Sequence, residues 1–357
     1  MAPINLADYE ALARSRMEPS AWAYYAGAAG DERTLADNVE AFGRIRLMPR
    51  VLVDVSRVDT STTVLGEPLS MPILLAPTAF NKLAHPEGEL AASRAAAAAG
   101  TVMVASTIAT SPLEEIAAAA PGPRWFQLYV YKDRSVTEEL VARAEAAGYR
   151  AIVLTVDTPM LGRRERDMRN NFTLPAGMGI ANFAGLRERL DATGWAPGSS
   201  FATYVHDLFD ASLTWESVEW LRASTKLPVL LKGILSPDDA SRAAGAGAAG
   251  VIVSNHGGRQ LDGAIASIDA LPRIVDAVGG RIDVLMDGGV RRGTDVLKAI
   301  ACGARAVLVG RPYLWGLAVD GEQGVRHVLE ILRSELQLSM ALSGRPSISQ
   351  IDRGVLA

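Results

Sequence analysis

Short apolar runs alternate with longer stretches of helical periodicity along most of this chain, between residues 72 and 345. Runs of four to eight apolar residues rich in β-branched side chains are typical of buried strands, and apolar residues spaced three or four apart are typical of amphipathic helices. The pattern predicts eight strands, at Ile73–Ala79, Val102–Ser106, Arg124–Val130, Ala151–Asp157, Pro228–Ile234, Gly250–His256, Asp283–Gly288 and Ala306–Gly310.

The stretches between these runs carry the signals of helix ends. Ser135, Thr214 and Ser236 precede acidic first turns, and Gly148 and Gly303 follow helical stretches. Strands that alternate strictly with helices form parallel sheets with right-handed crossovers, and eight such units close a TIM (β/α)8 barrel. A doubly wound open sheet is the competing architecture, but the Gly-x-Gly-x-x-Gly turn after a first strand is absent. The α/β barrel is therefore the predicted fold.

Two segments fall outside the repeat of a predicted single domain that spans residues 1–357, with its barrel at 72–345. Residues 1–71 form an N-terminal extension with helical patterns at Asn5–Arg16 and Pro19–Ala26 and an extended stretch from Leu47 to Leu69, and we expect it to cover one end of the barrel. Residues 158–213, after the fourth strand, form a long loop rich in Gly, Arg, Asn and Ala. Loops of that length are usually lids or disordered segments.

Composition narrows the function classes. The 357 residues are 49% hydrophobic and 21% charged with a net charge of -4, which suits a globular protein and gives no basic surface for a nucleic acid. The single cysteine, Cys302, excludes an internal disulfide, and four scattered histidines give no metal-ligand spacing. No secretion signal or long apolar run is present, so we expect a cytoplasmic protein without a membrane partner.

Polar residues gather where the predicted strands end. The carboxyl ends of barrel strands meet at one face, so these residues predict a site for a polar ligand there. Each alone is more typical of a satisfied core or rim residue. They are Ala76-Pro-Thr-Ala79, Ser106, Gln127, Tyr129, Thr155, Asp157, Lys232, Ser254, Asn255 and His256.

The last two strands add a phosphate-binding pattern. Asp287-Gly-Gly-Val-Arg291 and Gly310-Arg311 place glycine N–H groups, a helix start and guanidinium groups where barrel proteins bind phosphate. Two tight turns with solvated arginines are the alternative. Lys232, in an apolar strand, requires an anion or an electron-rich ring nearby, although a structural salt bridge would also satisfy it.

The stretch from Val251 to Asp262 delivers His256 and Arg259 to the end of an apolar strand, within one turn of each other. A base and a guanidinium fork side by side suit chemistry on a small carboxylate. A barrel that only binds a phosphorylated ligand, without redox chemistry, would have little use for this pair.

The motifs around these residues resemble the FMN-dependent L-2-hydroxy acid oxidase and dehydrogenase family, and most closely glycolate oxidase; lactate oxidase and hydroxymandelate oxidase are also similar. The resemblance spans nearly the whole chain. The segments that carry it include Phe126-Gln-Leu-Tyr-Val-Tyr-Lys-Asp133, Leu154-Thr-Val-Asp-Thr-Pro159, Ser254-Asn-His-Gly-Gly-Arg-Gln-Leu-Asp262 and Asp287-Gly-Gly-Val-Arg-Arg-Gly-Thr294.

The resemblance implies a role for each substrate-side residue. The histidine that matches His256 is the base, and Asp157 pairs with it. Arg259 and Tyr24 would hold the substrate carboxylate, Tyr129 its hydroxyl group, and Arg164 would add positive charge. Loss of the α-hydrogen as a proton or as a hydride would need the same residues, so both routes stay open.

The resemblance also implies FMN as cofactor, with dioxygen reduced to hydrogen peroxide. The alternative is a dehydrogenase that passes electrons to a quinone or cytochrome. Similar enzymes are commonly homotetramers. Lys232 would lie at the flavin edge where negative charge develops, and the other cofactor contacts would be Pro77, Thr78, Ala79, Ser106, Gln127, Thr155, Ser254, Asp287, Gly288, Gly289, Arg291, Gly310 and Arg311.

One departure from the family bears on the substrate. Glycolate oxidases carry a tryptophan after the second strand where this chain has Ile108, and Phe80 replaces a residue that is usually aliphatic. A smaller side chain beside the pocket would admit a larger substrate, because pocket size discriminates among apolar groups. We therefore expect a medium-chain, long-chain or aromatic 2-hydroxy acid.

Overall fold

Eight parallel strands close into a barrel in the computed structural model, which describes residues 3–183 and 207–357. Each strand pairs with its neighbour in sequence, and the last pairs with the first, so the predicted TIM barrel is confirmed. A short antiparallel hairpin, β1 (Thr62–Val64) and β2 (Glu67–Leu69), precedes them. The barrel strands are β3 (Ile73–Leu75), β4 (Met103–Ser106), β5 (Arg124–Leu128), β6 (Ala151–Thr155), β7 (Val229–Ile234), β8 (Gly250–Val253), β9 (Asp283–Asp287) and β10 (Ala306–Val309).

Helices surround the barrel and form most of the N-terminal extension. Ser236 caps its helix through Asp239 N–H as the sequence predicts, but Asp133 rather than Ser135 caps the helix after β5. Asp133 directly precedes the helix, whereas Ser135 lies within its first turn, so the Asp133 carboxylate accepts from the otherwise unpaired N–H of Ser135. The helices are α1 (Leu6–Arg16), α2 (Pro19–Ala26), α3 (Arg33–Arg44), α4 (Gly88–Ala98), α5 (Leu113–Ala118), α6 (Arg134–Ala146), α7 (Glu165–Arg169), α8 (Trp215–Ala223), α9 (Pro237–Gly245), α10 (Ser267–Val278), α11 (Gly293–Ala301) and α12 (Arg311–Leu342).

Several strands end earlier than the apolar pattern predicts. Strand β3 ends at Leu75 rather than Ala79, and β8 ends at Val253 rather than His256. The loops that follow these strands then change direction at Phe80 and His256, which have left-handed φ angles of 57° and 58°. The polar residues of the predicted strand ends therefore lie largely in the loops that follow the strands, at the carboxyl end of the barrel.

Two apolar layers form the core. The inner layer fills the barrel, and the outer layer lies between the strands and helices. Strands covered on both faces explain why their sequences are almost continuously apolar. The inner layer includes Leu74, Val104, Trp125, Val153, Leu230, Ile252, Leu285 and Leu308.

The N-terminal extension reaches both ends of the barrel, whereas the sequence led us to expect it at one end. Val64 and Leu69 of the hairpin join the inner core, and Leu65 N–H donates to Asp283 at the start of β9. Helix α2 lies at the opposite, carboxyl end of the barrel, where its residue Tyr24 lines a pocket. A chain segment of this length can pass along the barrel wall, a path that local patterns do not reveal.

The long segment after β6 was predicted as a lid-like loop over residues 158–213, and its middle part, 184–206, lies outside the described residues. Its beginning contains α7, and its end forms an antiparallel bridge between Phe209 and Tyr131. No helix within residues 3–183 and 207–357 is long and apolar enough to cross a membrane.

Candidate active site

One cavity opens at the carboxyl end of the barrel, with an empty volume of about 1040 Å³ that includes space open to solvent. It gathers most of the residues that the sequence singled out, from every part of the chain. The predicted residues that line it are Tyr24, Pro77, Thr78, Ala79, Ser106, Ile108, Tyr129, Arg164, Lys232, His256, Arg259, Asp287, Gly288, Gly289, Arg291, Gly310 and Arg311. The remaining predicted residues, Gln127, Thr155, Asp157 and Ser254, are hydrogen-bonded to residues of this lining, directly or through one another.

His256 and Asp157 form a hydrogen-bonded pair at the cavity. The Nδ1 of His256 lies 2.9 Å from Oδ1 of Asp157. A carboxylate can only accept, so Nδ1 carries the hydrogen and the neutral ring keeps a lone pair on Nε2. Burial lowers the pKa of His256, although Asp157 opposes this shift. The imidazole is therefore neutral near pH 7 and able to accept a proton.

Asp157 is ionised in spite of its burial. Burial alone raises the pKa of this carboxyl group, but His256, Lys232 and Thr158 outweigh it and the net shift is downward. The second carboxylate oxygen, Oδ2, is buried and accepts no hydrogen bond within the described part of the chain. Its charge is thus directed toward the histidine, where it would stabilise an imidazolium ion.

Gly233, which the sequence analysis missed, makes room for Asp157. A Cβ atom at this position would lie 2.6 Å from Cβ and Cγ of Asp157, and the φ angle is +107°. The pairing of β7 with β8 also shifts register between Lys232 and Ile234. A glycine inside an apolar strand is the sequence signal for such a bulge or close approach.

A cluster of arginines gives the cavity positive charge. Among the described residues, none of Arg164, Arg259, Arg291 and Arg311 forms an ion pair with a carboxylate. Burial, followed by repulsion from Arg259, lowers the pKa of Arg164 to about 10, so it remains charged at neutral pH. Buried or half-buried cations without an ion-pair partner are typical of an anion site.

Arg259 is held in place by the N-terminal extension. Its Nη1 donates to the carbonyl oxygens of Tyr24 at 2.6 Å and of Gly27 at 2.8 Å. The guanidinium carbon also lies 4.9 Å from the centre of the Tyr24 ring. The guanidinium group of Arg259 is thus fixed next to Tyr24, the other residue predicted to bind the substrate carboxylate.

Arg311, which the sequence predicts as a phosphate contact, lines the cavity and is also bonded to the backbone around it. Its three guanidinium nitrogens donate to the carbonyl oxygens of Tyr25, Gly257 and Gly27 at 2.8, 3.0 and 2.9 Å. The side chain therefore joins the extension to the loop after β8. It still adds positive charge to the cavity, because a carbonyl bond leaves the guanidinium ionised.

The loop after β9 and the start of α12 provide the remaining features of a phosphate site. Gly288 and Gly289 have φ angles of +96° and +83°, and a Cβ on Gly289 would lie 1.8 Å from the carbonyl oxygen of Asn38. Arg291 lines the cavity beside them. So do Gly310 and Arg311, the N-cap and the first residue of α12, where backbone N–H groups have no partner within the helix. Oriented backbone amides and a buried guanidinium suit a phosphate group.

Lys232 belongs to a buried polar network. Its Nζ lies 3.0 Å from Oδ2 of Asp287 and donates to Oγ of Ser254 at 3.0 Å. The same hydroxyl donates to Asp287 and accepts from the backbone N–H of His256. Burial alone would lower the pKa of Lys232, but Asp287 and Asp157 raise it, so the ammonium group is charged. Lys232 thus forms the salt bridge that the sequence analysis gave as an alternative, and its partner Asp287 also lines the cavity.

A second buried network fixes the wall formed by β4, β5 and β6. Gln127 donates to Thr155 Oγ1 at 3.0 Å, and its carbonyl oxygen accepts from Ser106 Oγ at 3.2 Å. Thr78 donates to Asn81 at 2.9 Å and bonds to the hydroxyl of Tyr313. Bonds within the protein therefore orient these side chains, which lowers the cost of binding a ligand.

The apolar wall of the cavity includes Ile108 and two further residues, Leu161 and Phe209, that the sequence analysis did not single out. Phe80 is fully buried and contacts the ring of Tyr24 rather than lining the cavity. The wall beside His256 is thus built from aliphatic and phenyl groups. Within the described residues, no group of three or more His, Cys, Asp or Glu side chains is arranged to hold a metal ion.

Comparison with known proteins agrees with this geometry. Residues 13–357 match the family model described as FMN-dependent dehydrogenase. The chain is 54% identical to an L-lactate oxidase of Nostoc sp. over 360 residues, which cover 99% of this chain and 98% of that protein. It is also 54% identical to glycolate oxidase 3 of Arabidopsis thaliana, with 98% and 94% covered.

Solved structures of mandelate oxidase have the same fold. One without a named ligand superposes with a TM-score of 0.92 at 46% sequence identity, and the match covers 100% of this chain and 98% of that one. Another, determined with (S)-4-hydroxymandelic acid, has a TM-score of 0.92 and covers 99% and 98%.

Proposed function

Since the chain belongs to the FMN-dependent dehydrogenase family, we propose that it oxidises an L-2-hydroxy acid to the 2-oxo acid while dioxygen is reduced to hydrogen peroxide. The observation that carries the proposal is the His256–Asp157 pair, 2.9 Å apart, in a cavity that it shares with Arg259 and Arg164. An imidazole poised as a base next to unpaired guanidinium groups fits an acid with a hydroxyl group on the carbon beside its carboxylate.

The cavity suits FMN. Gly288, Gly289, Arg291 and the start of α12 would hold the phosphate group, with added positive charge from Arg311. The isoalloxazine ring would lie against the loop after β3 and the ends of β4 to β8, with Lys232 beside its polar edge, and contact Pro77, Thr78, Ala79, Ser106, Gln127, Thr155, Ser254 and Asp287. When bound, FMN supplies the two-electron acceptor that no amino-acid side chain can provide.

The chain's own residues would bind the substrate and move its proton. Arg259 and the Tyr24 hydroxyl would hold the carboxylate, and Tyr129 would bond to the hydroxyl group that becomes the ketone. Burial raises the pKa values of both phenols, so they stay protonated and can donate. Nε2 of His256 would take the proton, and Asp157 would stabilise the imidazolium ion that results.

The pH dependence of the reaction tests the role of His256. The base must be neutral, so kcat/KM is expected to fall only as the pH drops through the folded-state pKa, which burial places below the ordinary value of 6.5. Asp157 raises that pKa, so the Asp157→Asn variant should lose activity overall and show an acidic midpoint that is lower still. Profiles of kcat/KM between pH 4.5 and about 9 measure both. A wild-type midpoint above 6.5 would contradict the assignment.

For the substrate side chain we propose a medium-chain, long-chain or aromatic group. The support is the apolar wall of Ile108, Leu161 and Phe209. The Ile108→Trp variant should shift selectivity toward glycolate by about 10- to 200-fold, because it fills space at the scale of several methylene groups. Specificity constants for glycolate, lactate, 2-hydroxyoctanoate and mandelate measure the shift, with Ile108→Val as the control. A wild-type enzyme that prefers glycolate would exclude the idea.

One experiment tests substrate class and electron acceptor together. Anaerobic addition of each L-2-hydroxy acid should bleach the yellow enzyme, and admission of air should restore the colour and release hydrogen peroxide. Bleaching without reoxidation in air would favour the second candidate, a dehydrogenase that uses a quinone or a cytochrome. A colourless protein that cannot be reconstituted with FMN would contradict the proposal. A homotetramer and a cytoplasmic location stay predictions.

A further inference from the structure

Each of the two tyrosines assigned to the substrate is stacked against a phenylalanine from the long segment after β6. The rings of Tyr24 and Phe172 are 4.4 Å apart at an angle of 13°. The rings of Tyr129 and Phe209 are 4.5 Å apart at 27°. Both phenylalanines are buried, and only Phe209 also lines the cavity.

Phe209 is fixed by backbone hydrogen bonds to the loop after β5. Lys132 N–H donates to the carbonyl oxygen of Leu208 at 2.9 Å, and Asp210 N–H donates to that of Val130 at 3.0 Å. The carboxylate of Asp210 also lies 2.8 Å from Nη2 of Arg134 at the start of α6. The phenyl ring is therefore held on the barrel rather than on a freely moving loop.

Phe172 is fixed to the N-terminal extension. It follows α7, and its N–H donates to the carbonyl oxygen of Asp167 at 2.9 Å. Arg166 in that helix is ion-paired with Glu32, and Gly30 N–H donates to the carbonyl oxygen of Arg163 at 3.0 Å. The ring behind Tyr24 is thus anchored at the point where Arg259 is also held.

We propose that the two described ends of this segment position the substrate tyrosines, and that the two positions have separate effects. Phe172 orients Tyr24 from outside the cavity and so affects the carboxylate of every substrate equally. Phe209 orients Tyr129 and also faces the cavity, so it selects among substrate side chains and favours large apolar or aromatic ones. The inference rests on the proposed function.

The geometry gives each phenylalanine a measurable effect. A phenol that binds substrate must be held close to its productive position, and packing against a rigid ring is what limits its rotation. Offset stacking adds to the burial of both rings. Loss of one stacked partner should therefore change binding by about 2- to 10-fold.

The test uses one substitution at three places in the FMN-loaded enzyme: Phe172→Leu, Phe209→Leu and, as a matched control, Phe183→Leu. Phe183 lies in the same segment with the same 6% exposure as Phe172, but its ring meets Tyr131, at 5.2 Å. The measurements are kcat/KM for lactate and mandelate, thermal unfolding, and the Kd of two non-reacting probes, acetate and benzoate, from perturbation of the flavin spectrum.

We expect Phe172→Leu to lower kcat/KM for both substrates, and to weaken both probes, by similar factors of about 2 to 10. Phe209→Leu should reduce the mandelate-to-lactate ratio and the benzoate-to-acetate ratio by about the same range. Phe183→Leu should lower thermal stability without moving either ratio or probe affinity beyond a factor of about 2.

Several outcomes would overturn the inference. Unchanged ratios in Phe209→Leu would remove its selective role, and a Phe183→Leu variant that behaves like the other two would reduce all three residues to general packing. If a Leu variant fails to fold, Phe172→Met and Phe209→Met replace the stacked ring by a flexible apolar side chain and should show the same changes. These results are distinct from failure of the proposed function, in which no 2-hydroxy acid would bleach the wild-type enzyme at all.

Discussion

Replacement of His256 by alanine is expected to lower kcat by about 10²- to 10⁴-fold while FMN stays bound. In the proposed mechanism the imidazole is the neutral base, and Asp157 stabilises the proton that it takes. A water molecule in its place would have no such partner. The contacts assigned to the cofactor come from other residues, so the flavin spectrum should persist. Stopped-flow reduction by substrate under anaerobic conditions measures the chemical step, and the absorbance of the bound flavin measures cofactor content.

Two companion variants sharpen this result. The backbone at position 256 is left-handed, and asparagine adopts that conformation more easily than alanine, so His256→Asn separates loss of the base from backbone distortion. His327→Ala removes a histidine whose Nδ1 lies 2.8 Å from the Tyr9 hydroxyl, away from the cavity lining, and should keep the wild-type rate. A His256 variant that retains FMN and reduces it at nearly the wild-type rate would disprove the role.

The Arg259→Gln variant is expected to lose kcat/KM by about 10²- to 10³-fold. Glutamine cannot supply a charged, forked donor to the substrate carboxylate, and the charge that remains on the bound substrate would be only partly compensated by Arg164. The loss should be smaller for the neutral amide of the same hydroxy acid, because that compound has no carboxylate to pair. Steady-state kinetics with mandelate and with its amide measure the difference.

A control for this variant is Arg281→Gln. Arg281 follows α10, donates to Val278 O and Ser241 Oγ, and does not line the cavity. The same change of charge at this position should therefore leave kcat/KM unaltered. Equal losses for mandelate and its amide in Arg259→Gln would indicate a structural role instead, through its bonds to the carbonyls of Tyr24 and Gly27.

Much of the fold and site could be predicted because the informative signals are local. A buried barrel strand must be apolar on both faces, so polar residues such as Lys232 and Gln127 stand out against it. Parallel strands then bring their carboxyl ends to one face without further information. His256, Tyr129 and Asp287 were expected at a common site for this reason, and all three line the cavity or its polar network.

What could not be predicted depends on contacts between distant segments. The carbonyl oxygens that hold Arg311 belong to the extension and to the loop after β8, so no signal near this residue in the sequence indicates them. Phe172 and Phe209 lie in a segment with no periodic pattern, so nothing local indicates that they pack behind the tyrosines. Helix α3 was missed although its sequence carries a helical spacing, with Asn38, Ala41 and Phe42 buried along one face. The close approach of the Asn38 backbone to Gly289 is a contact between distant segments that this spacing does not reveal.

The left-handed backbone at His256 makes the proposed base a source of strain in the folded protein. A side chain with a Cβ atom in that conformation costs about 1–2 kcal/mol relative to an ordinary one, and glycine would relieve the cost. Substitutions that relieve backbone strain are a common way to raise the thermal stability of a protein. At position 256 the substitution by glycine would also remove the imidazole that we propose as the base. The strain is therefore kept with the side chain, and a more stable variant of this protein needs substitutions elsewhere in the barrel.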